Sequence, residues 1–99
     1  MDISELLTML KTDLGISTTT AYDQRLTQYL ETAIQAITRE GATIATLSGG
    51  AYSIATIEDA ELIVLYAAWM WRKRDSGEGM PRMLRYQLNN RILAEKMQG

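Results

Sequence analysis

Apolar residues recur at helical spacing in four segments of the chain, and each segment predicts one helix. The first segment has a single apolar stripe, made of Ile3, Leu6, Leu7, Leu10 and Leu14. Asp2-x-x-Glu5 has the form of a capping box at its start, and Gly15 is placed to end the helix in a left-handed turn. The pattern predicts a first helix over about 2–14.

The second segment is amphipathic over a longer stretch. Its apolar face consists of Tyr22, Leu26, Tyr29, Leu30, Ala33, Ile34 and Ile37, and its opposite face is polar. Thr20-x-x-Asp23 again has the form of a cap, and Gly41 marks the end. These signals predict a surface helix over about 21–40 with one side packed.

The third segment is apolar around almost its whole circumference, which predicts a buried central helix over about 57–74. Thr56-x-x-Asp59 caps its start. Three surrounding helices of so short a chain leave little material to cover both Trp69 and Trp71. We therefore expect part of this helix to be covered by a second subunit.

The fourth segment has two apolar stripes, and a terminal helix can bury only one of them against its own domain. Pro81 suits the first position of this helix, which is predicted over about 81–96. Leu84, Leu88 and Ile92 share one side. The other stripe and its polar rim are predicted to be a docking surface, made of Arg82, Met83, Tyr86, Asn89, Leu93, Lys96 and Met97.

Residues 42–55 lie between the second and third helices and have no helical pattern. Gly49-Gly50 interrupts two short stretches, so both a small hairpin and an ordered loop fit the sequence. A connection of this length in so small a domain is usually functional or mobile. The chain is thus predicted to be a single all-α domain over 1–99, with four helices and one long loop.

Composition excludes several kinds of chemistry. The 99 residues include no cysteine and no histidine, so thiolate sites, disulfides and the commonest general base are absent. The acids Glu58, Asp59 and Glu61 stand at a helix start, where capping and the helix dipole account for them. We expect no catalysis, metal or cofactor. The longest apolar run, residues 62–71, is about half of a bilayer span, which predicts no membrane insertion.

Charge is distributed unevenly along the chain. Residues 1–71 have a net charge of −6 and residues 72–99 a net charge of +4. A basic C-terminal quarter indicates either an acidic partner or a solvated helix facing acidic neighbours. One alternative is a helix-turn-helix that reads DNA with the 81–96 helix. Its polar groups would be Arg72, Lys73, Arg74, Arg82, Arg85, Gln87, Asn89, Asn90 and Arg91.

Several stretches in a fixed order carry a family resemblance. They are Leu10-Lys11-Thr12-Asp13-Leu14-Gly15-Ile16, then Tyr22-Asp23 and Leu26, Arg39-Glu40-Gly41-Ala42, the aromatic stretch Leu65-Tyr66-Ala67-Ala68-Trp69-Met70-Trp71-Arg72-Lys73-Arg74, and Gly79-Met80-Pro81-Arg82-Met83-Leu84. Over nearly the whole chain this order resembles the small head–tail connector proteins, also called adaptor or head-completion proteins, of long-tailed bacteriophages and prophages.

The resemblance implies a structural protein of the virion, assembled in the bacterial cytoplasm and located at the head–tail junction. Its partners would be the portal protein, a tail or head-closure protein, and further copies of itself in a ring of roughly a dozen, a closed cyclic assembly. Genomic DNA would pass through without sequence readout. In this family the C-terminal segment, here 81–99, engages the portal, and the long loop contacts neighbouring subunits.

Self-association is expected to use the tryptophans and the loop, through Trp69, Trp71, Ile44, Leu47, Tyr52 and Ile54. Two alternatives remain open at this level. One is the DNA-binding regulator, and the other is a small helical module that binds a partner outside phage biology.

Overall fold

The computed structural model describes residues 1–77 and 79–98, and most of them are helical. In chain order the elements are α1 (Ile3–Leu14), α2 (Asp23–Glu40), β1 (Thr46–Ser48), β2 (Ala51–Ser53), α3 (Ile57–Ser76) and α4 (Arg82–Gln98). The predicted mostly helical fold is confirmed, and the segment between α2 and α3 contains a small antiparallel hairpin. No helix in the described part of the chain has the length and apolar character needed to cross a membrane.

The start of α1 is the capping box that its sequence predicts. The Glu5 amide donates to Asp2 Oδ1 at 3.0 Å, and the Asp2 amide donates to Glu5 Oε1 at 3.5 Å. At the other end Gly15 adopts φ 73°, and the Ile16 amide donates to the Lys11 carbonyl oxygen. Both ends of α1 are therefore fixed by local signals.

The start of α2 differs from the prediction. Tyr22 is the residue at the cap, its side chain makes no capping hydrogen bond, and the helix begins at Asp23 rather than near residue 21. Thr20 contributes only its backbone carbonyl, which accepts from the Asp23 amide at 3.2 Å. The Asp23 carboxylate instead faces the Lys11 ammonium of α1 at 2.9 Å. The predicted cap by the Thr20 side chain is therefore wrong, because the Asp23 amide bonds to the Thr20 backbone instead.

The hairpin pairs Thr46 with Ser53 and Leu47 with Tyr52. Gly49 and Gly50 form its turn with φ 58° and 80°, the pair of positive values that a type I′ turn requires. The chain start is joined to the hairpin's end, because the Met1 ammonium donates to the Ile54 carbonyl at 2.6 Å and the Ile54 amide donates back to Met1 at 2.7 Å.

The core lies where α3 contacts α1, α2 and α4. Its buried side chains come from all four helices and from both flanks of the hairpin: Leu6, Leu10, Leu26, Leu30, Ala33, Ile34, Ile37, Ala42, Ile44, Ile54, Ala60, Leu62, Ile63, Val64, Ala67, Ala68, Leu84 and Leu88. The predicted cap of α3 is present, with Thr56 Oγ1 accepting from the Asp59 amide at 3.2 Å. The central helix is therefore α3, with α1, α2 and α4 packed around it.

Candidate protein-docking surface

One face of α4 exposes four large apolar side chains, which we call the α4 stripe. Their exposed fractions are 65% for Met83, 65% for Tyr86, 56% for Leu93 and 80% for Met97. At 100° per residue all four project within one sector of the helix. The α4 stripe runs almost the whole length of α4, and no other part of residues 1–77 and 79–98 covers it.

Polar side chains follow one edge of the α4 stripe. Arg82, Asn89 and Lys96 are exposed and recur every seven residues, so they lie in a row along the helix. All seven residues of the predicted docking surface are therefore exposed on one side of α4. Their role in docking stays a prediction.

The opposite face of α4 packs on the domain. Leu84 and Leu88 are buried, and Ile92 is packed against the edge of the core. Ile92 lies beside the end of α2, where its Cγ2 is 3.6 Å from the position that a Cβ on Gly41 would occupy. The two apolar stripes of α4 therefore lie in different surroundings, one buried and one exposed.

A polar cluster fixes α4 to the rest of the chain, and we call it the Arg91 clamp. The Arg91 guanidinium donates from Nε to Asp59 Oδ1 at 2.8 Å and from Nη2 to the Thr43 carbonyl oxygen at 2.9 Å. Glu95, one turn further on, faces Arg91 at 3.5 Å and accepts from the Thr43 amide at 2.6 Å. The hydrogen bond to Asp59 raises the pKa of Arg91 above its ordinary value.

Asp59 corrects one interpretation of the sequence. Its position at a helix start suggested capping and dipole effects alone, but only 8% of the residue is exposed and its carboxylate pairs with Arg91. Sequence reasoning missed this pair because the two residues are 32 positions apart. An arginine one turn after Leu88, on the apolar side of the predicted helix, is the signal that could have found it.

A second ion pair joins α4 to the end of α2. Arg85 Nη1 contacts Glu40 Oε1 at 2.7 Å. Glu40 also raises the pKa of Tyr66, although burial of the phenol is the larger cause. Arg85 and Arg91 are thus engaged by carboxylates of their own chain. This pairing weakens the helix-turn-helix alternative, because two of its candidate DNA-contacting arginines are held by carboxylates of the same chain.

The two tryptophans are partly covered within one chain. Trp71 contacts Tyr22 edge-on at 5.2 Å between ring centroids, and the Arg74 guanidinium lies 3.8 Å from the Trp71 ring centroid. Trp69 packs edge-on against Tyr66, and its indole N–H donates to the Gly79 carbonyl oxygen at 3.2 Å. Both rings therefore have intramolecular partners. A role for them in self-association stays a prediction.

The loop residues predicted for self-association divide into two groups. Leu47 is exposed on the hairpin and Tyr52 is half-buried beside it. Ile44 and Ile54 are buried in the core, so neither side chain is at the surface of the folded chain, and self-association through the loop stays a prediction. The physical reason for their burial is that both flank the hairpin and anchor it, with their side chains pointing inward.

An open groove of about 460 Å³ separates the hairpin from the exposed side of α2. Its lining residues are Ile34, Gln35, Thr38, Arg39, Ala45, Leu47 and Tyr52. The groove is apolar at its base and has a cation at one edge. It lies on the part of the chain that the family resemblance assigns to subunit contacts.

No protein-family model, curated protein or solved structure matches this chain.

Proposed function

We propose that this chain is a structural head–tail connector subunit, which docks on the portal of a phage capsid and forms a ring through which DNA passes. The tail or a head-closure protein would bind on the opposite side. The observation that carries the proposal is the α4 stripe, an apolar surface with a basic edge on a helix whose other face is already packed.

Exposed apolar side chains are common on proteins when they are scattered, but here four of them share one face of one helix. Methionine, tyrosine and arginine are enriched at protein interfaces, and methionine adapts its shape to a partner. An amphipathic helix laid in an apolar groove is a recurring mode of protein recognition. The composition of the α4 stripe fits such a contact.

The Arg91 clamp supports the proposal in a second way. Asp59 and Thr43 hold α4 from the side opposite to the α4 stripe, and the Arg85–Glu40 pair acts nearer its start. The helix is therefore positioned before any partner binds. A preorganised surface loses less conformational entropy on association, which favours a stable structural contact.

The proposal is tested by binding to the portal protein encoded in the same genome. The double variant Tyr86→Asp with Leu93→Asp puts two carboxylates on the α4 stripe, and we expect it to remain folded and to lose portal binding. The matched control is Gln28→Asp, an exposed position on α2. Binding is measured by co-sedimentation with assembled portal rings, and folding by circular dichroism.

Unchanged binding of the double variant would exclude the α4 stripe as the docking surface. Loss of binding by the Gln28→Asp control as well would point to a general charge effect. Salt-dependent, sequence-selective binding of duplex DNA by the wild-type chain would favour the regulator instead.

A further inference from the structure

A second apolar surface lies on the other side of α3. An open groove of about 240 Å³ runs between α1 and α3, and we call it the α1/α3 groove. Its lining residues are Met9, Asp13, Glu61, Val64 and Leu65. Met9 and Leu65 are half-buried along it, while Asp13 and Glu61 are exposed at its edges.

The α1/α3 groove is acidic, and the beginning of α4 is basic. Asp13 is already paired with Arg72 of its own chain at 3.4 Å, so Glu61 supplies the main negative charge at the edge of the groove. At the start of α4 the first turn has no acidic residue, so the positive end of the helix dipole adds to the charge of Arg82. Apolar groups lie beside the charges on both surfaces, so the two are complementary in charge and in polarity.

The two surfaces lie on different sides of α3. Glu58, Asp59 and Leu62 line a pocket with residues of α4, whereas Glu61, Val64 and Leu65 line the groove with residues of α1. One molecule therefore presents both surfaces in different directions. Contact between unlike surfaces is heterologous, and such contacts generate rings when the rotation closes.

The α1/α3 groove is long enough to receive only one end of the α4 stripe of a second molecule. From Glu61 to Leu65 is one helical turn, about 6 Å, whereas Met83 to Met97 spans about 21 Å at the rise of an α-helix. The end that carries Arg82 matches the acids of the groove. The end near Leu93, Lys96 and Met97 is left for another partner.

We infer that Arg82, Met83 and Tyr86 of one copy dock in the α1/α3 groove of a second copy. This head-to-tail contact rests on the proposed function in one respect, because it supplies an interface by which connector subunits form a ring. It also divides the α4 stripe, with its first half for the neighbouring copy and its second half for the portal. Unlike portal binding, the contact forms with the purified chain alone.

The test uses two variants with changes at exposed positions, one on each surface. Tyr86→Asp damages the stripe and keeps the groove, and Glu61→Lys damages the groove and keeps the stripe. Sedimentation velocity is recorded over a concentration series up to millimolar chain. We expect the wild-type chain to self-associate more weakly as salt is raised. We expect each variant alone to associate at least about tenfold more weakly, which corresponds to about 1.4 kcal/mol.

A one-to-one mixture of the two variants gives the sharpest result. The intact stripe of Glu61→Lys meets the intact groove of Tyr86→Asp, and the two damaged surfaces stop further growth. The mixture should therefore form a dimer and nothing larger. A wild-type chain that stays monomeric, or a Glu61→Lys chain that assembles like wild type, overturns the inference; the second result would point to contact between two α4 stripes.

A third variant separates this inference from the proposed function. Leu93→Asp should self-associate like the wild-type chain and lose binding to assembled portal rings. If it binds portal normally while Glu61→Lys fails to self-associate, portal docking by the end of α4 is wrong and the head-to-tail contact stands. If all variants self-associate normally and Leu93→Asp alone loses portal binding, the head-to-tail contact is wrong and portal docking by the end of α4 stands.

Discussion

The helices α2 and α4 have similar lengths and both lie on the surface, yet they use their apolar residues differently. In α2 the apolar residues that face inward are buried, including Leu26, Leu30 and Ile37. Among residues 82–97 of α4 only Leu84 and Leu88 are buried, and four large apolar side chains face outward. Thus α2 buries its inward-facing apolar side chains within the fold, whereas α4 leaves four large apolar side chains exposed.

The difference extends to what holds each helix in place. Apolar burial against α1 and α3 fixes α2, and its ion pair with Lys11 lies at one end. The attachment of α4 relies on a smaller apolar contact together with the Arg91 clamp and the Arg85–Glu40 pair. Hydrogen bonds and ion pairs can position a helix without burying its exposed apolar side chains. This arrangement suits an element that must be both fixed and exposed.

Truncating one leucine in each helix should give the largest difference. Leu30→Ala removes a fully buried side chain of α2 and should lower the free energy of unfolding by about 3 kcal/mol, through lost burial and a cavity. Leu93→Ala removes an exposed side chain of α4 and should change it by no more than about 0.5 kcal/mol. Urea denaturation at equilibrium measures both.

In a portal-binding assay the ranking of the two variants should be the opposite of their ranking by stability. Leu93→Ala should weaken portal binding, while Leu30→Ala should bind normally under conditions where it remains folded. Equal loss of stability in the two variants would show that Leu93 is packed as tightly as Leu30. It would contradict the difference drawn between α4 and α2.

The Arg91 clamp should have the next largest effect. Arg91→Ala leaves the nearly buried Asp59 carboxylate without its cation and should cost about 2 kcal/mol of stability, less than for a fully buried pair because the Arg91 side chain is 24% exposed. The matched control is Arg85→Ala, whose side chain is 44% exposed and which should cost below about 1 kcal/mol. Thermal unfolding ranks the two.

Hydrogen exchange locates the effect of breaking the clamp. In Arg91→Ala the amides of α4 should exchange faster, while those of α2 change little, because the clamp attaches only α4 to the body. Uniform acceleration along the chain would mean that Arg91 stabilises the whole fold rather than the position of one helix.

Local signals in the sequence predicted the fold better than they predicted the clamp. The capping box at Asp2, the turn at Gly15 and the cap at Thr56 all depend on residues within a few positions of each other. Thr20-x-x-Asp23 has the same spacing as Thr56-x-x-Asp59 but does not cap. Its Asp23 amide donates to the Thr20 backbone carbonyl, and the Asp23 carboxylate pairs with Lys11 from another helix. A spacing pattern holds no information about such tertiary partners.

The exposed face of α4 was accessible to sequence reasoning for a related reason. Helical periodicity alone separates Leu84 and Leu88 from Met83, Tyr86 and Leu93, and burial in the structure follows that division. The same reasoning could not show that Ile44 and Ile54 face inward, because the short stretches beside Gly49 and Gly50 have no clear alternation. It also could not identify the α1/α3 groove, which exists only once two helices pack.

The smallest predicted effect concerns how the helices begin. The α1 cap is a carboxylate, whereas the first turn of α4 has only bases among its charged residues. Hydrogen bonds from the Glu5 amide and the Ser4 hydroxyl lower the pKa of Asp2 below its ordinary value of 3.8. The unfolded chain therefore takes up this proton first as pH falls. Stability from the Asp2 cap is fully present above about pH 4 and is lost as pH drops through the lower, folded-state pKa.

The variant Asp2→Asn keeps a capping side chain but removes the charge, so its stability deficit relative to wild type should be constant near neutral pH and shrink in acid. Urea denaturation at a series of pH values measures the difference. Ser4→Ala removes the second donor and should leave a smaller pH-dependent part, since the Glu5 amide, the larger cause, is retained. A deficit that grows in acid would contradict a lowered pKa, because it would require the folded chain to hold the proton more tightly than the unfolded one.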